Sequence, residues 1–208
     1  LDISCIVLAG GKGSRLGHNK AEVLVGSKSL FQWVLCRVSF LKSEIIVVAG
    51  ANGFAPLDAG YSGHKKVVTD IYPGRGPLVG VYTGLTVAKS FHSLAVGCDM
   101  PFLNRALLSH MIKVAPGFDV VIPRVDNMVE PLHAVYSKNC LAPIEDMVKR
   151  GDLSVHSLLD LVRVRYVDSD EIDRFDPEHL SLFNVNTLDE LERARSLVEQ
   201  GAVVSDKC

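Results

Sequence analysis

The chain has 208 residues, 48% of them hydrophobic and 22% charged. These are ordinary globular proportions, and they exclude a disordered, collagenous or coiled-coil protein. The 22 Lys and Arg against 24 Asp and Glu leave a net charge of −2, which excludes a broad basic face for duplex nucleic acid but not a local pocket for a small polyanion. A chain this long buries about 70% of the surface its unfolded form exposes, so it needs no disulfide or metal to fold. One domain is expected over residues 1–200, with 201–208 as a flexible tail.

In chain order, Ile3 to Ala9 is a continuous apolar run ending at glycines, the pattern of a strand buried on both faces. Ser29 to Phe40 has helical apolar spacing, with Ser29 as N-cap. Ile45 to Ala49 predicts a second strand, Lys66 to Thr69 a third, and Pro77 to Val87 a helix opening at a proline. Ser93 to Cys98 predicts the fourth strand, Asn104 the start of a helix, and Asp119 to Pro123 the fifth strand. Met128 to Ser137 reads as a strand or hairpin arm, Leu141 to Lys149 and Ser154 to Leu161 as helices, and Val162 to Val167 as a strand. Thr187-Leu188-Asp189-Glu190 is a capping box opening a final helix to about Gln200. Strands alternating with helices predict an α/β fold, a doubly wound, mostly parallel twisted sheet covered on both faces.

Leu1 to Ser4 carry no basic region and the apolar run from Cys5 is short, so no signal peptide is expected. No stretch approaches the roughly 18 apolar residues of a membrane span. The five cysteines (Cys5, Cys36, Cys98, Cys140 and Cys208) are odd in number and form no CxxC pair. They read as reduced thiols of a cytoplasmic protein.

Of 17 glycines, five lie between Gly10 and Gly26. The string Leu8-Ala9-Gly10-Gly11-Lys12-Gly13-Ser14-Arg15-Leu16-Gly17-His18-Asn19-Lys20 directly follows the first strand. In open α/β sheets ligands bind beyond the carboxyl ends of strands. Glycines there let backbone N–H groups approach phosphate oxygens. Arg15 can fork onto two such oxygens, and Lys20 adds a point charge. The spacing is neither a Walker A loop nor a dinucleotide fingerprint, since Leu16 stands where the third glycine of GxGxxG belongs. An NAD-dependent dehydrogenase is disfavoured accordingly.

This string resembles LAGGxxxRxGxxK, the signature loop of the molybdenum cofactor guanylyltransferases, within the nucleotide-diphospho-sugar transferase, glycosyltransferase-A-like fold. The usual Met after the Arg is Leu16 here. The resemblance runs over roughly residues 3 to 198.

Asp99 lies in Val96-Gly97-Cys98-Asp99-Met100-Pro101 at a strand end. A carboxylate there can hold Mg²⁺ against a triphosphate or close a turn before proline; the resemblance assigns it the metal. Asp70 follows the third strand and is either a loop acid or, by resemblance, a nucleotide contact. Gly74-Arg75-Gly76-Pro77-Leu78-Val79-Gly80 resembles the family's GPLxG segment, with Gly76 and Gly80 allowing close approach. Phe183-Asn184-Val185-Asn186-Thr187 matches its NVNT motif. Asn184 and Asn186 point the same way in extended chain, or cap the next helix, and by resemblance they sit near the pterin or the metal-bound phosphates. Glu130-Pro131-Leu132-His133-Ala134 resembles a segment lining the acceptor side, with no chemical role given to His133. Two positions depart from relatives. Gly50 stands where some have a guanine-contacting Asn, with Asn52 two residues on. Asp152 follows Gly151 where some have paired arginines, with Lys149 and Arg150 before it.

The resemblance implies GMP transfer from GTP to the phosphate of molybdopterin or Mo-molybdopterin, giving the guanine dinucleotide cofactor and pyrophosphate. Arg15, Lys20 and Asp99 are the catalytic candidates. Leu8, Ala9, Gly10, Gly11 and Asp70 join them around GTP, Gly76, Gly80, Asn184 and Asn186 line the acceptor side, and Mg²⁺ on Asp99 is the expected cofactor. Molybdoenzymes or their chaperones are the expected takers of the product, with no nucleic acid and no membrane. Transfer of cytidylyl to molybdopterin, or of a nucleotidyl group to a sugar or alcohol phosphate, is the same-class alternative. Cytidylyl relatives tend to carry Ala-Ala-Gly at Ala9-Gly10-Gly11. A non-catalytic nucleotide-binding adaptor is the alternative from another class.

Overall fold

A computed structural model of the chain describes residues 2–9, 20–50 and 64–201. Arg15, the glycines from Gly10 to Gly17, Asn52 and Cys208 lie outside the described residues. The strands are β1 (Ile3–Leu8), β2 (Leu24–Val25), β3 (Lys28–Ser29), β4 (Ile45–Ala49), β5 (Lys65–Thr69), β6 (His92–Gly97), β7 (Val120–Val125), β8 (Met128–Val129), β9 (His133–Ser137) and β10 (Val164–Asp168). The helices are α1 (Leu30–Val38), α2 (Pro77–Val87), α3 (Arg105–Val114), α4 (Leu141–Lys149), α5 (Val155–Leu159), α6 (Ser169–Ile172) and α7 (Leu188–Glu199).

The main sheet has the order β10-β7-β9-β6-β1-β4-β5, with β8 paired to β7. Every pair along β6, β1, β4 and β5 is parallel, while β9 runs antiparallel to both β6 and β7. This is the expected α/β architecture, with one reversed strand the sequence did not orient. β9 is reversed because the Asp126-Asn127 turn, in left-handed backbone, folds the chain back along β7, and β8 and then β9 run on in that one direction past an interruption at Glu130–Leu132. The run Met128 to Ser137 is thus the returning arm of a hairpin, as read, interrupted between β8 and β9.

Period-two alternation assigns side chains to the two faces. Cys5 and Val7 join α1 and α3 in one buried cluster; Ile6 and Leu8 join α2 and α4 in the other. Both faces being buried explains why β1 reads as an unbroken apolar run. Two glycines bring α2 close to β1. A Cβ on Gly84 would fall within 3.0 Å of three Ile6 side-chain atoms, and one on Gly80 would lie 2.5 Å from Leu8 Cδ2. Gly26, counted by sequence with the phosphate loop, instead makes the β2–β3 turn with φ +63.

Three helix starts are capped as expected. Ser29 and Thr187 each form a full capping box, and Asn104 accepts from Ala106 N and Leu107 N. A third cluster joins Trp33 of α1, Phe102, Val185 and Leu191 of α7. It seats the segment from Phe183 to Thr187 against the main body. Cys5, Cys98 and Cys140 are buried and free, whereas Cys36 is disulfide-bonded, a departure from the expectation of reduced thiols throughout. Among the described residues no helix is long and apolar enough to cross a membrane.

Candidate functional site

The parallel strands end along one edge of the sheet, and the polar candidates gather there. Backbone bonds continue the ladder past the strand ends: Ala9 N donates to Val48 O, Cys98 N to Leu8 O, Gly97 N to Leu132 O and Asp70 N to Ala49 O, all at 2.8–3.1 Å. Each loop therefore leaves its strand in fixed register.

Asp99 sits two residues past β6. Its carbonyl accepts Val185 N at 2.9 Å, which ties the Asn184–Asn186 segment to the Asp99 turn across the chain. Lys20 Nζ donates to Asp99 Oδ2 and to Asn186 Oδ1, both at 2.5 Å. The Lys20 and Asp99 side chains keep 17% and 18% of their exposure, so the pair is shielded yet reachable. Lys20, Asp99 and Asn186, from three distant stretches of sequence, thus form one cluster. Two side-chain oxygens thus converge on one ammonium.

Asn186 leaves helix capping to Thr187. Thr187 Oγ1 accepts Glu190 N at 3.2 Å, and Glu190 Oε2 accepts the backbone N–H groups of Asn186 and Thr187 at 2.6 and 2.8 Å. The Asn186 side chain is thereby free for the site. Asn184 Nδ2 donates to Glu130 Oε2 at 3.1 Å and, weakly, to Leu182 O at 3.3 Å. Glu130 Oε1 accepts Leu132 N at 3.1 Å. Burial pushes the Glu130 carboxyl upward against the opposing pull of these two N–H donors. Sequence reasoning quoted Glu130 only within a motif. Its link to Asn184 spans 54 residues and has no local signature.

Gly97 is a second residue the sequence did not single out. A Cβ there would come within 3.0 Å of Asp99 Oδ1, so the carboxylate's position depends on a missing side chain.

Asp70 lies at the opposite end of this edge. Its Oδ1 accepts Tyr72 N at 3.1 Å and Thr83 Oγ1 at 3.0 Å, which makes a turn onto α2 and leaves Oδ2 without a partner among the described residues. Gly76, with φ +101, is the N-cap of α2 ahead of Pro77. It has no side chain to cap the first N–H groups of that helix, a setting that favours anions. Gly80 is buried and makes its close approach to Leu8. The described contacts do not join Lys149 or Arg150 to the Asp99 cluster. Lys149 pairs with Glu145 and Asp146 on its own helix at 2.8 and 3.8 Å.

His133 is fully buried, and burial lowers its pKa to about 4. Its Nε2 shares a 2.6 Å hydrogen bond with Ser181 Oγ, which also accepts Asn104 N at 2.9 Å. It pins the C-terminal segment to β9, a packing role.

Comparison with known proteins places the chain as a whole within one family. A family model described as the MobA-like NTP transferase domain matches residues 5–168. The chain is 33% identical over 204 residues to the molybdenum cofactor guanylyltransferase of Desulfosudis oleivorans, covering 97% of this chain and 98% of that protein. It resembles the crystal structure of molybdopterin-guanine dinucleotide biosynthesis protein A from Archaeoglobus fulgidus with TM-score 0.81 and 29% identity, over 95% of this chain and 100% of that one. The 4-diphosphocytidyl-2C-methyl-D-erythritol synthase of Anaerococcus prevotii shares the fold at TM-score 0.74 and 17% identity, over 95% of this chain and 98% of that one.

Proposed function

The chain belongs to the MobA-like NTP transferase family, a nucleotidyltransferase family, and from that membership we propose that it transfers GMP from GTP to the phosphate of molybdopterin, releasing pyrophosphate. The observation that carries the reading is the Lys20–Asp99–Asn186 cluster at the carboxyl edge of the sheet.

The sheet order divides the edge. Leu8, Ala9 and Asp70 follow β1 and β5 on one side of Asp99; Glu130 and Asn184 lie beside β9 on the other. We place GTP on the first side and the acceptor on the second. Gly10, Gly11 and Arg15, which follow β1 in the sequence, complete the triphosphate site in this reading, and Asp70 Oδ2 accepts from the ribose or the base. Gly76 contributes the open N-terminus of α2 at the same edge, and Gly80 holds that helix against Leu8.

Asp99 Oδ2 and Asn186 Oδ1 are hard oxygen donors that already converge on a cation, and a divalent metal of the Mg²⁺ type needs only one or two protein carboxylates when phosphates and water fill its other positions. Such a metal, when bound, neutralises charge developing on the phosphates. The protein's own part is positional. Lys20 and Arg15 bind the β- and γ-phosphates in this reading, and Asp99 and Asn186 are the residues that would hold the metal. The acceptor phosphate is largely ionised near neutral pH, so it attacks the α-phosphorus without a general base. Alignment and charge neutralisation carry the rate. GTP and molybdopterin fit a cytoplasmic setting, with a molybdoenzyme or its chaperone receiving the product.

The test is pyrophosphate release with GTP or CTP, with and without Mg²⁺ and molybdopterin. GTP with both additions is expected to react, and Asp99→Ala to abolish it in a folded protein. Turnover with CTP alone would replace guanylyl by cytidylyl transfer. Turnover in Asp99→Ala at wild-type rate would remove the metal assignment.

A further inference from the structure

Asn184 and Asn186 stand two residues apart at the same edge, but their surroundings give them opposite polarity. The Nδ2 group of Asn184 faces Glu130 Oε2 at 3.1 Å and Leu182 O at 3.3 Å. Both neighbours are acceptors, so the amide can sit only with its NH₂ inward. Its Oδ1 is left without a partner among the described residues. Asn186 is the reverse: its Oδ1 accepts from Lys20, and its NH₂ is unengaged among the described residues.

The device that sets Asn184 is Glu130. One carboxylate oxygen takes Leu132 N at 3.1 Å and the other takes Asn184 Nδ2. Both oxygens must accept, which a carboxylate can do and an amide cannot. Glu130 directly precedes the turn into β9, and Asn184 lies across Asp99 from Asp70, on the side given to the acceptor.

We propose that Glu130 is a positioning residue that holds Asn184 with its carbonyl outward, and that this carbonyl accepts a hydrogen bond from a ring N–H of the acceptor substrate. The inference rests on the guanylyl-transfer reading and deepens it. A phosphate monoester near neutral pH offers oxygens that accept far more than they donate. It is the wrong partner for an outward carbonyl, and Asn186 with its free NH₂ suits it better. An N–H on an electron-poor heterocycle, such as the lactam edge of a pterin, is the right one. Glu130 therefore selects an acceptor that carries such an edge over one that is only a phosphate on an alcohol or a sugar.

Glu130→Gln tests this, because it should invert Asn184. Leu132 N keeps the Gln oxygen, the Gln NH₂ then faces Asn184, and Asn184 must turn its carbonyl in and its NH₂ out. The double variant Glu130→Gln with Asn184→Asp restores the outward acceptor, losing only the weak 3.3 Å contact to Leu182 O. The Gln NH₂ donates to one Asp oxygen, the other points outward, and net charge returns to that of the wild type. Steady-state KM for molybdopterin and the dissociation constant for GTP are measured in wild type, Glu130→Gln and the double variant. The single variant is expected to raise KM for molybdopterin about tenfold, the scale of one hydrogen bond lost with a polar mismatch. The double variant is expected to recover most of that loss, and GTP binding to stay within about twofold in all three. An unchanged or lower KM in the single variant overturns the inference, as does a double variant no better than the single. A wild type that turns over GTP but not molybdopterin overturns the functional reading first, and this inference with it.

Discussion

Gly97→Ala isolates the position of a carboxylate from its presence. The added Cβ would lie within 3.0 Å of Asp99 Oδ1, where ordinary contact begins at 3.4 Å. Gly97 ends β6 and its N–H donates to Leu132 O at 3.1 Å. Its φ lies outside the left-handed region, so alanine fits the backbone. The strain is relieved by the partly exposed Asp99 side chain turning away from β6, on the order of 1 Å. A displacement of that size at a reacting centre costs roughly 100-fold in rate, while the fold loses less than the 1–3 kcal/mol typical of overpacking a closed core. The assay is guanylyl transfer at saturating GTP and molybdopterin across a Mg²⁺ titration, with thermal unfolding alongside. A kcat about 100-fold lower, a higher Mg²⁺ requirement and a Tm within a few degrees of wild type are expected. The change should also add little to Asp99→Ala, since the two act through one group. A folded Gly97→Ala enzyme with wild-type kcat and Mg²⁺ dependence would refute the reasoning.

Three further outcomes are expected. Lys20→Met removes the ammonium 2.5 Å from Asp99 Oδ2, so the nucleotide-free protein should bind Mn²⁺ several-fold more tightly by water-proton relaxation while GTP turnover falls; equal Mn²⁺ affinity would mean Lys20 does not stand in the cation's place. Gly84→Ala should lower stability by about 1–3 kcal/mol, because its Cβ meets Ile6 side-chain atoms at 2.5–2.8 Å, and an unchanged Tm would show that α2 can lift from β1 at no cost. His133 has a folded pKa of about 4 against an ordinary value of about 6.5. Between those values the unfolded chain binds a proton that the folded one refuses, so stability is full above about pH 6.5 and falls toward pH 4, by about 3 kcal/mol in all. Urea unfolding at several pH values in wild type and His133→Gln checks this: the variant should flatten the slope across that window, and parallel slopes would count against it.

Much of this was legible in the sequence. Capping signals are local, so Ser29, Asn104 and Thr187 were readable as helix starts and are so found. Buried parallel strands announce themselves as apolar runs, and the bounds of β4 and α2 match their readings. What escaped was set by contacts between distant segments. The direction of β9 depends on which neighbours it pairs with, and no strand pattern records that. Glu130 became visible only when folding brought it to Asn184. Gly97, Gly80 and Gly84 are explained by what stands opposite them, information absent from their own neighbourhoods. Asp99 and Lys20 were both named as site residues; their direct pairing across 79 residues was not.

Val185 carries a consequence for how this family can vary. It is fully buried between Asn184 and Asn186, and its N–H is spent on Asp99 O. The alternation of extended chain does the rest: one residue in, two residues out. The three positions therefore behave as a single unit of register. A one-residue slip of this segment would bury an amide, expose the valine and detach the segment from Asp99 at a stroke. Loops upstream can change in length only if the chain regains its phase before Val185, so either asparagine can be substituted singly but the pair cannot slide.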